Sequence, residues 1–128
     1  MKRILVVDDD HELAHVLAFA LELRGYLVEL ATNGSDALER VRRARFDVVL
    51  VDWKMPVMDG RAFLREHVRE AGTNVPPVVV MSGAPEAAAQ ALHLGAAAVV
   101  AKPFHFEELE ALLVSLTDAS EGRVGCER

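Results

Sequence analysis

Three features of the sequence predict an α/β fold, a three-layer sandwich with helices on both faces of one parallel five-stranded sheet. Short unbroken apolar runs recur along the chain, helix-periodic segments separate them, and acidic residues, glycine or proline punctuate the junctions. Unbroken rather than alternating apolarity marks strands covered on both faces, as in parallel sheets. Regular β/α alternation then implies right-handed crossovers.

The first strand is Ile4-Leu5-Val6-Val7, and Asp8-Asp9-Asp10 end it. In the helix that follows, Leu13, Val16, Leu17, Ala20 and Leu21 keep a 3.6-residue period toward the core, and Gly25 fits the C′ stop. His11, His15, Ala18 and Glu22 form the opposite stripe and are expected to face water. Leu27 to Ala31 is a weaker second strand. In "NGSDALERVRRA", Ser35 or a neighbour caps the second helix, and Ala37, Leu38 and Val41 face inward. Val48 to Val51 is the third strand and runs straight into Asp52. The loop "WKMPVMDG" follows it. Pro56 restricts Met55, Met55 and Met58 pack the loop, and Gly60 permits the turn into a helix over Gly60 to Glu70. A strand over Val78 to Met81, a helix over Pro85 to Leu94 ended by Gly95, a strand over Ala97 to Ala101 and a helix over Phe106 to Leu116 complete the set.

Residues 1–117 therefore make one domain, and 118–128 read as a polar, disordered C-terminal tail. With aromatics at only 5%, the core has to be built from Val, Leu and Ala. A single cysteine, Cys126, allows no internal disulfide and fits a reducing cytoplasm. The apolar run near the N-terminus is too short for a signal peptide, and no stretch approaches the ~18 apolar residues of a membrane span. A net charge of −6 argues against direct nucleic-acid binding through phosphate contacts.

Ligands of open α/β sheets bind beyond the carboxyl ends of the strands. Asp8-Asp9-Asp10, Asp52, Ser82-Gly83 and Lys102-Pro103 stand at four of those ends. Taken singly, Asp10 is a helix cap, Ser82 a turn hydroxyl and Lys102 a solvated cation. Their shared rim is what points to a site. Adjacent carboxylates repel unless a cation neutralises them. Mg²⁺ suits such a set, because it takes one or two carboxylates and a phosphate oxygen. Asp52 is a carboxylate nucleophile. With Mg²⁺ on Asp8 or Asp9 together with Asp52, Lys102 and the Ser82 hydroxyl with the Gly83 N–H would each meet a phosphoryl oxygen.

"ILVVDDD", "VVLVDWKMPVMDG", "VVVMSG" and "AKPF" resemble, in order and spacing, the response-regulator receiver domains of two-component signalling. The resemblance covers residues 2 to about 116. It implies a flavodoxin-like fold with strand order 2-1-3-4-5. Asp52 would be the phosphoacceptor, and Asp8 and Asp9 the acidic pair for Mg²⁺, or Mn²⁺ in its place. The Lys54 carbonyl would be a backbone metal ligand, Ser82 the switch hydroxyl and Lys102 the phosphate-contacting lysine. Lys102-Pro103 would be cis. A sensor histidine kinase or histidine phosphotransfer protein would be the donor. The domain would catalyse its own phosphorylation and slow dephosphorylation without being an enzyme on other substrates. Output would pass to a separate effector through the face of the fourth helix, fifth strand and fifth helix. One departure is Val99, where receivers usually carry a Tyr or Phe. A β-branched aliphatic cannot swing as a ring does, so the sequence predicts that a Tyr-type gate is absent. Another is Lys54 beside the acceptor, either solvated or shielding an acyl phosphate from water.

Three other readings compete. "HELAH", residues 11 to 15, matches the H-E-x-x-H zinc-peptidase pattern, which needs a third protein ligand. Asp8-x-Asp10 imitates the start of a haloacid-dehalogenase-type phosphatase but leaves Asp52 unexplained. A receiver-like interaction scaffold without phosphorylation would have no need of the intact acid set. The arginines at 61, 65 and 69, and at 40, 42, 43 and 45, are expected on solvated faces.

Overall fold

A computed structural model describes residues 2–71 and 76–126. Five strands, β1 (Arg3–Val7), β2 (Leu27–Ala31), β3 (Val48–Asp52), β4 (Val78–Ser82) and β5 (Ala98–Ala101), pair in parallel in the order β2-β1-β3-β4-β5. Five helices, α1 (His11–Leu23), α2 (Gly34–Arg43), α3 (Gly60–Ala71), α4 (Pro85–His93) and α5 (Phe106–Cys126), alternate with them. The expected α/β architecture and strand order are those observed.

Strand alternation splits the core into two layers. Leu5, Val7, Val49, Val51, Val78 and Val80 pack with Ala37, Leu38, Phe63, Leu64, Ala87 and Ala91 of α2, α3 and α4. Ile4, Val6, Val48, Leu50, Val79 and Met81 pack with Ala14, Leu17, Leu21, Leu109 and Leu113 of α1 and α5. Continued past the strand ends, the same alternation sends Asp8, Asp52 and Lys102 toward the α1/α5 side. It sends Trp53 and Ser82 toward the other.

Several elements differ from expectation in phase or end. In α1 the buried residues are Ala14, Leu17, Ala18 and Leu21, while Leu13 and Val16 are exposed at 39% and 66%. The predicted period is right and its phase is turned. The helix is apolar on most sides, and the face it buries carries the small residues Ala14 and Ala18 beside Leu17 and Leu21. His11, His15 and Glu22 do face water, whereas Ala18 does not. The cap of α2 is Asn33, whose Oδ1 accepts from the Asp36 N–H at 2.9 Å. Helix α5 continues beyond Leu116 to Cys126, into the stretch expected to be a disordered tail, of which residues 127 and 128 lie outside the described residues. That stretch has no proline, and adding residues to an existing helix avoids the nucleation cost.

The glycine at position 60 plays a different part from the one expected. Positive φ in this loop falls on Val57 (φ 68), not on Gly60. A Cβ on Gly60 would instead overlap the Asp52 carbonyl oxygen, so this glycine serves close approach. Met55 and Met58 pack on the core as expected. Of the arginines, Arg42 joins α2 to α3 through Glu70 (Nε–Oε1 2.8 Å), and Arg40 pairs with both Glu29 and Asp36. These are partly solvated pairs and contribute little each. No helix among the described residues is long and apolar enough to cross a membrane.

His67 on α3 is 4% exposed, stacks on Phe63 at 5.3 Å, and its Nε2 has no hydrogen-bond partner among the described residues. Burial lowers its pKa from 6.5, and the Glu70 charge only partly opposes this. The folded chain therefore binds this proton less readily than the unfolded chain. Its stability contribution is full above 6.5 and is lost as pH falls toward the depressed folded value. Urea unfolding of wild type and His67→Leu between neutral pH and pH ~5 should show a wild-type slope steeper by up to about 1.4 kcal/mol per pH unit. Parallel slopes would remove His67 as the cause.

Candidate functional site

Strand register assembles the rim. Val7 lies opposite Val51, so Asp8 and Asp52 emerge side by side from β1 and β3. Ser82 lies opposite Ala101, and the Lys102 N–H donates to the Ser82 carbonyl at 2.8 Å, which fixes the end of β5 against β4. The Lys102–Pro103 peptide is cis.

From that position the Lys102 ammonium reaches Asp52 Oδ1 at 3.1 Å and Asp8 Oδ2 at 3.8 Å. Asp8 is 3% exposed, and its Oδ1 accepts from the Asp10 N–H at 3.0 Å. Burial, more than any other influence, raises the Asp8 pKa. The Asp52 and Asp9 charges push the same way, while the Asp10 N–H and Lys102 oppose. Asp9 is exposed. One carboxylate oxygen from each of Asp8, Asp9 and Asp52 lies within 4.8 Å of the others. Three carboxylates share one nearby ammonium, which leaves a surplus of negative charge. An all-oxygen donor set of this kind fits a hard divalent cation such as Mg²⁺ or Mn²⁺.

An open cleft of about 340 Å³ lies beside these acids, lined by Asp52, Trp53, Lys54, Ser82, Gly83, Ala84 and Lys102. Ser82 is 5% exposed, and its Oγ accepts from the Ala84 N–H at 3.0 Å, at the head of α4. The α4 cap residue, Ala84, makes no side-chain cap hydrogen bond, and the Ser82 hydroxyl holds that residue's own N–H. The Lys54 side chain is exposed. Val99 is half-buried, pairs in register with Val80 and packs on the α2–α4 layer.

Trp53 and Ala84 line the cleft, yet sequence reasoning passed over both. Trp53 sits next to Asp52 and was detectable as the first residue past the strand. Ala84 has no chemistry of its own, and only its backbone position makes it a partner. Asp10 is the N-cap of α1, its Oδ1 accepting from the Leu13 N–H at 3.1 Å, and this single-residue reading explains it. His11 and His15 sit on exposed α1, with His15 Nδ1 2.8 Å from the His11 carbonyl. Among the described residues, the acid trio is the sole group of three or more His, Cys, Asp or Glu gathered closely enough to hold a metal. The zinc-peptidase reading has no third ligand there.

A doubly wound parallel sheet thus carries a lysine-contacted aspartate and an acidic cluster at its carboxyl edge, where open α/β sheets bind their ligands. The chain matches the family model of the response regulator receiver domain over residues 4–114, and it belongs to that family. It is 43% identical over 112 residues to the transcriptional regulatory protein ZraR of Escherichia coli (strain K12), covering 86% of this chain and 25% of that protein. To the response regulator MprA of Mycobacterium leprae (strain TN) it is 38% identical over 116 residues, 89% of this chain and 50% of that one. The chain thus spans between about a quarter and a half of the length of these relatives. The structure superposes on a CheY-like receiver domain protein from Methanospirillum hungatei JF-1 with a TM-score of 0.88 at 28% identity, covering 96% and 98% of the two chains.

Proposed function

We propose that this receiver domain, spanning residues 1–117, accepts a phosphoryl group on Asp52 from a phosphohistidine of a sensor histidine kinase or histidine phosphotransfer protein. The observation that carries the reading is the Lys102 ammonium 3.1 Å from Asp52 Oδ1, beside the buried Asp8. An Asp52 carboxylate oxygen attacks phosphorus, and an O–P bond forms as the donor's N–P bond breaks. The departing imidazole nitrogen keeps the bonding pair and takes up a proton. Lys102 neutralises charge on one phosphoryl oxygen. The Ser82 hydroxyl and Gly83 N–H serve another, which requires the Ser82 O–H to turn from the Ala84 carbonyl, 3.4 Å away, to the phosphoryl oxygen. Asp8, Asp9, Asp52 and the Lys54 carbonyl would hold Mg²⁺, or Mn²⁺. When bound, that cation supplies charge neutralisation for the incoming phosphoryl oxygens.

Water attack on the acyl phosphate resets the domain slowly. Exposure of the Lys54 side chain favours its reading as a solvated group over that of a shield. The freed Ala84 carbonyl offers a route from Ser82 to α4 that needs no aromatic at Val99. The effector surface is the α4–β5–α5 face, and the compartment is the cytoplasm. Mass spectrometry after exposure to acetyl phosphate and Mg²⁺ tests the reading. Wild type should gain one phosphoryl group, and Asp52→Asn none. No gain in wild type would leave an interaction scaffold instead.

A further inference from the structure

The loop from Trp53 to Asp59 that follows the acceptor is clamped at both ends by residues without side chains. At its far end the Gly34 N–H, in the first turn of α2, donates to the Met58 carbonyl at 2.8 Å. A Cβ on Gly34 would stand 2.7 Å from that carbonyl oxygen, 2.8 Å from Met58 Cγ and 3.1 Å from the Asp59 oxygen. Gly34 does not have a positive φ. Its glycine is therefore a requirement of space, not of conformation. At the near end the Gly60 N–H donates to the Trp53 carbonyl at 3.0 Å, and Gly60 presses on the Asp52 peptide. Between these clamps lies Lys54.

We infer that Gly34 is a positioning residue for the acceptor site, latching α2 onto the loop that carries Asp52 and the Lys54 carbonyl. A Cβ at position 34 would push Met58 away, break the latch and let the loop shift against Asp8 and Asp9. The inference rests on the reading of Asp52 and its acidic neighbours as a cation-assisted phosphoacceptor. Metal affinity responds strongly to outer residues that orient the ligands.

The test uses the full chain and Mg²⁺ itself. Trp53 is the only tryptophan and lines the cleft, so its fluorescence reports Mg²⁺ binding without any activity measurement. Gly34→Ala should weaken Mg²⁺ binding about tenfold. It should also reduce amide-exchange protection at Gly60 in the metal-free protein. Ala37→Gly, a buried change in the same helix that adds no atom against Met58, serves as the control for lost α2 stability. It should leave both readouts unmoved at temperatures where it is folded. If Gly34→Ala does not fold, Asn33→Ala loosens the same first turn, and a loss of about threefold in Mg²⁺ affinity is expected. Unchanged Mg²⁺ affinity in the folded variant, or an equal loss in Ala37→Gly, overturns the latch alone. A wild type whose Trp53 signal does not respond to Mg²⁺ and which gains no phosphoryl group overturns the underlying reading as well.

Discussion

Replacing Lys102 by Met should slow phosphorylation of Asp52 by acetyl phosphate about 10²- to 10³-fold, while Mg²⁺ binding becomes about tenfold tighter. The two effects have opposite signs because the ammonium acts on two different charges. Its contacts with Asp52 and Asp8, at 3.1 and 3.8 Å, compete with any divalent cation for those carboxylates. Removing it leaves the acids free for metal. The same ammonium is the group that can neutralise a phosphoryl oxygen approaching Asp52, and a methionine of similar length cannot. Lys102→Arg keeps the charge but spreads it over a planar fork, and it should recover only part of the rate. Damage to the fold would lower both quantities together. Stopped-flow phosphorylation and a Trp53 titration on one preparation separate the two cases. A Lys102→Met protein with a wild-type rate would limit Lys102 to balancing charge in the resting state.

The second large effect concerns Asp8. Burial favours its neutral form, and the Asp52 and Asp9 charges add to that preference. A carboxyl whose folded pKa is raised gives full stability below its unfolded value of 3.8, and that stability is lost as pH rises through the folded value. Without metal, holding a charge on Asp8 therefore costs stability. Asp8→Asn should raise the melting temperature in chelator by about 4–8 °C, corresponding to about 1–2 kcal/mol. Wild type should gain about 2.7 kcal/mol when Mg²⁺ is present at a hundred times its Kd. Asp8→Asn should lose most of that gain. Calorimetry in chelator and in Mg²⁺ checks both halves. An Asp8→Asn protein less stable than wild type in chelator would mean that the Asp10 N–H contact outweighs the charge crowding.

Much of the site was legible because strand ends are legible. Val48 to Val51 could only be a buried strand, and a carboxylate directly after it had to appear at the sheet edge. The same reasoning applied to Asp8 after Val7 and to Lys102 after Ala101. Helix phase was harder to read. Residues of α1 are apolar on most sides, so period alone could not choose between the Val16 face and the Ala14–Ala18 face. Packing in the folded chain buries the Ala14–Ala18 face. The end of α5 at Cys126 was not legible, because a polar composition suggests fraying rather than further helix.

By itself the sequence determined the order of elements, the two-sided burial of the strands and the residue types that reach the carboxyl edge. These depend on local periodicity and on where apolar runs stop. Tertiary structure alone decided the rest. Register set Asp8 beside Asp52, and the β4–β5 tie aimed Lys102 at both. Ser82 turned to the head of α4, and Gly34 and Gly60 became clamps on the acceptor loop. Each of these is a contact between segments far apart in the chain, set by how closely two backbones approach, and no local pattern encodes that distance.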